Sequence, residues 1–100
     1  MRKAIIKYVI PGTSFSALIP LGAEVVHAAD YGGEPTLWFL VDLEAPKVER
    51  DFAVYKTGEL PVIPGRHVAT IILQGKAVLH LFEKSNLVVV LGGDGASVEG

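Results

Sequence analysis

Three histidines, a run of four carboxylates and two arginines are the side chains of this chain whose types and spacing could do chemistry. Imidazoles hold transition ions or move protons, so His27, His67 and His80 come first. The others are Asp42, Glu44, Glu49 and Asp51, with hard-cation or basic-partner chemistry, and Arg50 and Arg66, whose planar forks match carboxylates and phosphates. What any of them can do depends on the elements that carry them.

Gly and Pro divide the sequence at short intervals into apolar runs, which is the punctuation of strands. The pattern predicts strands over 3–10, 15–19, 23–30, 36–43, 47–55, 67–74 and 77–83, with an eighth over 87–91. The expected fold is therefore all-β: a small antiparallel meander forming a sandwich or partly open barrel of about seven or eight strands. One domain spans 1–91, and 92–100, with four glycines in nine residues, is expected to be a flexible tail.

Two short connections fix side-chain parity. A hairpin closed by a four-residue loop between Leu43 and Val48 would set Val41 beside Arg50, Phe39 beside Phe52 and Leu37 beside Val54 on a core face. Its other face would gather Asp42, Glu44, Glu49 and Asp51 at one end and Trp38, Leu40 and Tyr55 at the other. A second hairpin turning at Gln74–Lys76 through a two-residue loop would put Ala69, Ile71 and Leu73 beside Val78, His80 and Phe82. Val68, Thr70, Ile72, Leu79 and Leu81 would share the reverse side. Both of its faces are apolar, so it must be sandwiched, or covered by a second subunit, and a homo-oligomer, a dimer foremost, is expected.

That register keeps His67 and His80 on one face but roughly 7 to 14 Å apart at about 3.3 Å per residue, too far to chelate one ion. His27 and Asp30 have opposite parity in one strand. No metal site and no cofactor is expected. Gly12, Thr13, Ser14, Phe15 and Ser16 do not form the Gly-x-Ser-x-Gly elbow, and Gly92, Gly93 and Gly95 lack the lysine and helix of a phosphate loop. No catalytic residue is expected, because no nucleophile can be paired with a base. Four carboxylates in flat register do not wrap an ion, so Asp42, Glu44, Glu49 and Asp51, flanked by Lys47 and continued by Trp38 and Tyr55, read as a solvated or partner-facing surface. Arg50, in phase with Val48, Phe52 and Val54, either closes a structural salt bridge to another strand or, with Arg66, holds a small anion.

Bulk numbers narrow the classes. Half the residues are hydrophobic, yet the longest apolar runs, 37–41 and 87–91, fall far short of a spanning helix, so no membrane segment is expected. Pro11 and Gly12 interrupt the basic start before any signal-type apolar region, which gives a cytoplasmic reading. Zero cysteines remove disulfides and thiolate chemistry. A net charge of −2 supplies no field for phosphate backbones, so nucleic acid is not an expected partner.

Several spaced motifs carry a resemblance. Ile6-Lys7-Tyr8, then Ile19-Pro20-Leu21-Gly22-Ala23, Leu37-Trp38-Phe39-Leu40-Val41-Asp42, Glu49-Arg50-Asp51-Phe52 and His80-Leu81-Phe82-Glu83 occur in one ordered series. In that order they resemble an uncharacterised family of small bacteriophage proteins, a domain of unknown function, from about residue 3 to residue 84. The chain departs from the family's usual Gly-Thr-Gly-His turn, reading Lys56-Thr57-Gly58-Glu59, which puts any ligand role of that turn in doubt. The resemblance implies a phage or prophage accessory protein and supplies no catalytic residue. Two functions follow as expectations. One is a non-enzymatic protein that contacts a host or phage protein, with inhibition of a host defence or regulatory complex as one role the setting allows. The alternative is an oligomeric binder of a small ligand such as a nucleotide, with Arg50 or Arg66 on its phosphates.

Overall fold

In a computed structural model, described here for residues 2–59 and 65–84, alternation of outward and inward side chains builds seven strands and no helix. They are β1 (Lys3–Val9), β2 (Ser14–Pro20), β3 (Glu24–Tyr31), β4 (Glu34–Asp42), β5 (Lys47–Lys56), β6 (Gly65–Leu73) and β7 (Ala77–Lys84). The sheets are antiparallel, with strand orders β1-β4-β3 and β2-β5-β7-β6, and they face one another as a sandwich that does not close into a barrel. The expected strand over 87–91 and the tail over 92–100 lie outside the described residues. No helix among the described residues is long and apolar enough to cross a membrane.

The core is what period-two patterning dictates. Leu37, Phe39 and Val41 point inward from β4, while Ala17 and Ile19 of β2, Phe52 and Val54 of β5, Ile71 of β6 and Leu81 of β7 meet them from the other sheet. Phe39 and Phe52 are wholly enclosed, each adding roughly 2–3 kcal/mol of burial. Tyr8 and Phe15 stack at 5.8 Å, and Phe15 stacks on Phe52 at 5.2 Å, so an aromatic row links the sheets where β1 and β2 are not hydrogen-bonded to each other.

The strand order is interleaved. Only β3–β4 and β6–β7 join sequence neighbours as hairpins, and the chain changes sheet between β1 and β2, β2 and β3, and β4 and β5. The expected hairpin between Leu43 and Val48 therefore does not form. Its residues keep the predicted parity, but Phe39 and Phe52 enter the shared core from opposite sheets and are not paired across a ladder. The connection is held by Asp42, whose Oδ1 accepts the Glu44 and Arg2 amides at 3.0 and 3.2 Å, and by Leu21, whose N–H donates to the Pro46 carbonyl at 2.8 Å.

The second hairpin forms with a shifted register. Its loop is three residues, Gln74–Lys76, with Gln74 and Gly75 both at positive φ, so Ile71 faces Leu79 and Ala69 faces Leu81. The inner face is thus Ala69, Ile71, Leu73, Leu79 and Leu81, and the outer face mixes Thr70, Ile72, Val78, His80 and Phe82. One side carries hydroxyl and imidazole groups, so two apolar faces are not what the hairpin presents. Asp30 ties the two hairpin ends together: Oδ1 accepts the Gly33 amide at 2.8 Å and Oδ2 the Gln74 amide at 2.7 Å. Gly33, at φ 91°, sits so close to Gln74 that a side chain there would meet its amide at 3.1 Å.

Candidate functional site

Strands β5, β6 and β7 carry polar groups on both of their faces. On the inner face, Arg50 of β5, Glu83 of β7 and Arg66 of β6 meet at one end of the sandwich. Arg50 is in phase with the core residues Phe52 and Val54, and its side chain is only 17% exposed. It donates Nε to Glu83 Oε2 at 2.7 Å and Nη2 to Oε1 at 2.9 Å, while Nη1 reaches the Ala23 carbonyl at 2.6 Å. Arg66 adds a bond from Nη2 to Oε1 at 2.8 Å from a side chain that is 68% exposed. The bidentate hydrogen bonding of Arg50 holds the Glu83 carboxyl below its ordinary value of 4.5, against the opposing effect of burial and with lesser help from both arginine charges. The structural salt bridge to another strand is therefore how Arg50 is satisfied.

A cleft of about 490 Å³ adjoins this cluster between the edges of β3 and β6, and its lining includes Arg50, Arg66 and Glu24 together with Val26 and Val68. Each valine is the extra residue of a β-bulge, between Val25 and His27 on β3 and between His67 and Ala69 on β6. Such bulges re-aim their neighbours. Arg50 and Arg66, proposed from sequence as anion ligands, are thus brought to one place, but Glu83 already bonds to both of them.

The outer face of the same strands holds a hydrogen-bonded chain that the sequence register did not reveal. His67 Nε2 lies 2.9 Å from Thr70 Oγ1, the same hydroxyl lies 3.2 Å from His80 Nδ1, and His80 Nε2 lies 2.9 Å from Thr57 Oγ1. The imidazole centroids are 6.4 Å apart, at the near end of the expected separation, since His67 pairs with Phe82, two residues along β7 from His80; what the register did not anticipate is Thr70 on the face of His67. The cause is the bulge. Val68 takes up one residue, so that His67 and Thr70, three apart, point the same way, and Thr70 pairs with His80. Phe82 packs edge-on to His67 and to Tyr55, fixing the rings from the side. Thr57 comes from the Lys56–Glu59 turn, whose ligand role the departure from the family pattern puts in doubt.

The acidic surface is divided. Asp42 lies on the outer side of the β1-β4-β3 sheet and Glu44 in the turn after it, whereas Glu49 and Asp51 lie on the outer side of the other sheet with Tyr55. The six residues Trp38, Asp42, Glu44, Glu49, Asp51 and Tyr55 thus belong to two surfaces, because β4 and β5 are not paired. Asp42 is occupied with its own turn, and Asp51 accepts a hydrogen bond from Ser16 Oγ. Among the described residues no group of three metal-binding side chains converges.

What Trp38 does gather is aromatic. It lies between Lys7 of β1 and His27 of β3, with His27 at 5.2 Å and Tyr31 edge-on at 5.8 Å, and Lys7 Nζ sits 4.6 Å over the Tyr31 ring. Ile5 pairs with Leu40 beside them, and Ile5 and Tyr31 are 61% and 57% exposed.

No curated protein and no solved structure matches this chain. One family model does match, over residues 1–90, a span that holds both polar clusters and the aromatic face. On that match the chain belongs to the family described as Domain of unknown function (DUF7352).

Proposed function

We propose that the protein is a non-enzymatic accessory protein acting through protein–protein contact, with the outer face of β1-β4-β3 as its docking surface and a second copy of the chain as the first occupant. The observation that carries this reading is the contiguity of Ile5, Leu40, Trp38 and Tyr31 on one outer face, with His27 and Lys7 among them. A joined aromatic and aliphatic patch is the kind of surface that interfaces bury, with charges at its rim. A two-fold axis along β4 would lay the lysine-bearing β1 of each copy over the Glu24-bearing β3 of the other, so the patch is self-complementary. The motif resemblance supplies the setting: the cytoplasm of a bacterium carrying a phage or prophage. There the dimer contacts a host or phage protein, and inhibition of a host defence or regulatory complex is the role this setting favours.

The test is solution mass. Light scattering of the wild type should give a dimer, and Trp38→Ser with Ile5→Ser should give a folded monomer. A wild-type protein that remains monomeric at high concentration would overturn the reading.

A second reading has one observation in its favour, the convergence of Arg50 and Arg66 beside the cleft between β3 and β6. A small anion such as a nucleotide would use the solvent-facing donors of Arg66, since Nε, Nη1 and Nη2 of Arg50 already donate within the protein. Stabilisation by a nucleotide that disappears in Arg66→Ala would support it, and no thermal shift with any nucleotide would set it aside.

A further inference from the structure

We propose that His67 and His80 form an open two-imidazole site for a divalent ion of the zinc class on the outer face of β6 and β7. Imidazole nitrogens are the ligands such ions favour among uncharged side chains. Here two of them, His67 Nε2 and His80 Nδ1, aim at a single point, now filled by the Thr70 hydroxyl at 2.9 and 3.2 Å. Two imidazoles that share a tetrahedral zinc through bonds of about 2.0–2.1 Å stand roughly 5 Å apart, centre to centre. The rings are at 6.4 Å. A closure of about 1 Å is within ordinary side-chain adjustment for an exposed histidine, and rotating the Thr70 hydroxyl aside opens the point of convergence.

The surroundings prepare the ligands. Metal-bound histidines donate their second ring N–H to an oxygen, which fixes the tautomer. Thr57 Oγ1 stands 2.9 Å from His80 Nε2 and can accept that proton, leaving Nδ1 unprotonated and turned toward the shared point. Thr57 is in this account a positioning residue. Phe82, edge-on to His67, holds that ring from the other side. Because the described residues bring no third metal-binding side chain to the place, water or a second molecule completes the coordination, and the affinity is below that of a closed structural site. The site shares no residue with the aromatic docking face and does not depend on it. His27, on the other sheet, is a built-in control.

Titration calorimetry of the full chain with zinc chloride tests this. One ion should bind per chain, His67→Ala and His80→Ala should each weaken binding at least tenfold, and His27→Ala should leave it unchanged. Thr57→Val should weaken it several-fold with an unaltered circular dichroism spectrum, and Thr70→Ala should bind as well as wild type or better. Nitrogen-15 NMR of the wild type provides a readout without a variant, since zinc should shift His80 Nδ1 and His67 Nε2 and spare His27. Zinc affinity that survives in the His67→Ala/His80→Ala double variant, no uptake at millimolar zinc, or shifts at the opposite ring nitrogens would overturn the proposal.

Discussion

The inner and outer sides of the β5-β7-β6 region carry two polar clusters, one on the three strands and one on β6, β7 and the turn after β5, and they are unlike in nearly every respect. The inner one, Arg50, Glu83 and Arg66, is charged, enclosed at Arg50 and Glu83 though not at Arg66, and closed by hydrogen bonds among β5, β6, β7 and the Ala23 carbonyl. The outer one, His67, Thr70, His80 and Thr57, is uncharged when its imidazoles are neutral, and it is open to solvent along most of its length. A half-buried guanidinium must be paired to be tolerated at all, so the inner cluster belongs to stability. Groups on an open face are under no such compulsion, and their convergence leaves them available to a ligand. The bulge that takes Val68 out of the alternation lets Arg66 reach the inner cluster while His67 and Thr70 share the outer one.

Removing Glu83 should produce the largest effect. Glu83→Ala leaves Arg50 enclosed with only the Ala23 carbonyl, and should cost about 3 kcal/mol in urea unfolding. A loss below about 1 kcal/mol would mean that the inner cluster is as dispensable as a surface pair. Acid sharpens the same point. Because the Glu83 carboxyl titrates lower in the folded protein than its ordinary value of 4.5, its contribution is complete above that value and is lost as pH falls through the folded value. The stability gap between wild type and Glu83→Gln should therefore shrink in acid, and a gap that widens would reverse the sign.

Deleting Val68 should cost only about 1 kcal/mol, the burial of one partly enclosed valine, since His67 and Ala69 already face the adjacent residues Phe82 and Leu81 and close into a regular ladder with Arg66 still opposite Glu83. The two imidazoles should stay on one face, and loss of their cross-strand contacts in NMR would mean that β6 shifts its register instead. Thr70→Val removes a bridging hydroxyl from an exposed strand and should cost about 1 kcal/mol. Arg66→Ala, which deletes an ion pair from a mostly exposed side chain, should cost no more than about 0.5 kcal/mol in thermal unfolding.

Much of this was legible in the chain itself. Alternation in Leu37-Trp38-Phe39-Leu40-Val41 and in Phe52-Ala53-Val54 marks the core faces of β4 and β5, and it puts Arg50 in phase with the core, where it is found paired. Alternation fixes faces, however, and says nothing of which strand lies beside which. The short connection after Asp42 reads equally well as a hairpin and as a step between sheets, and the step disperses the acidic surface. Glu83 carried a usable signal, being in phase with Leu79 and Leu81, once the Gln74–Lys76 loop is taken as three residues. The Thr70 bridge between His67 and His80 carried none, because a bulge at Val68 has no glycine or proline to mark it.

Trp38 is the single tryptophan of the chain, and it lies at the centre of the face assigned to self-association, so its fluorescence reads that face directly. On dilution the emission should move to longer wavelength as the second copy leaves, over the same concentration range in which the scattering mass falls from dimer to monomer. An emission spectrum that stays constant while the mass remains that of one chain throughout would contradict the assignment.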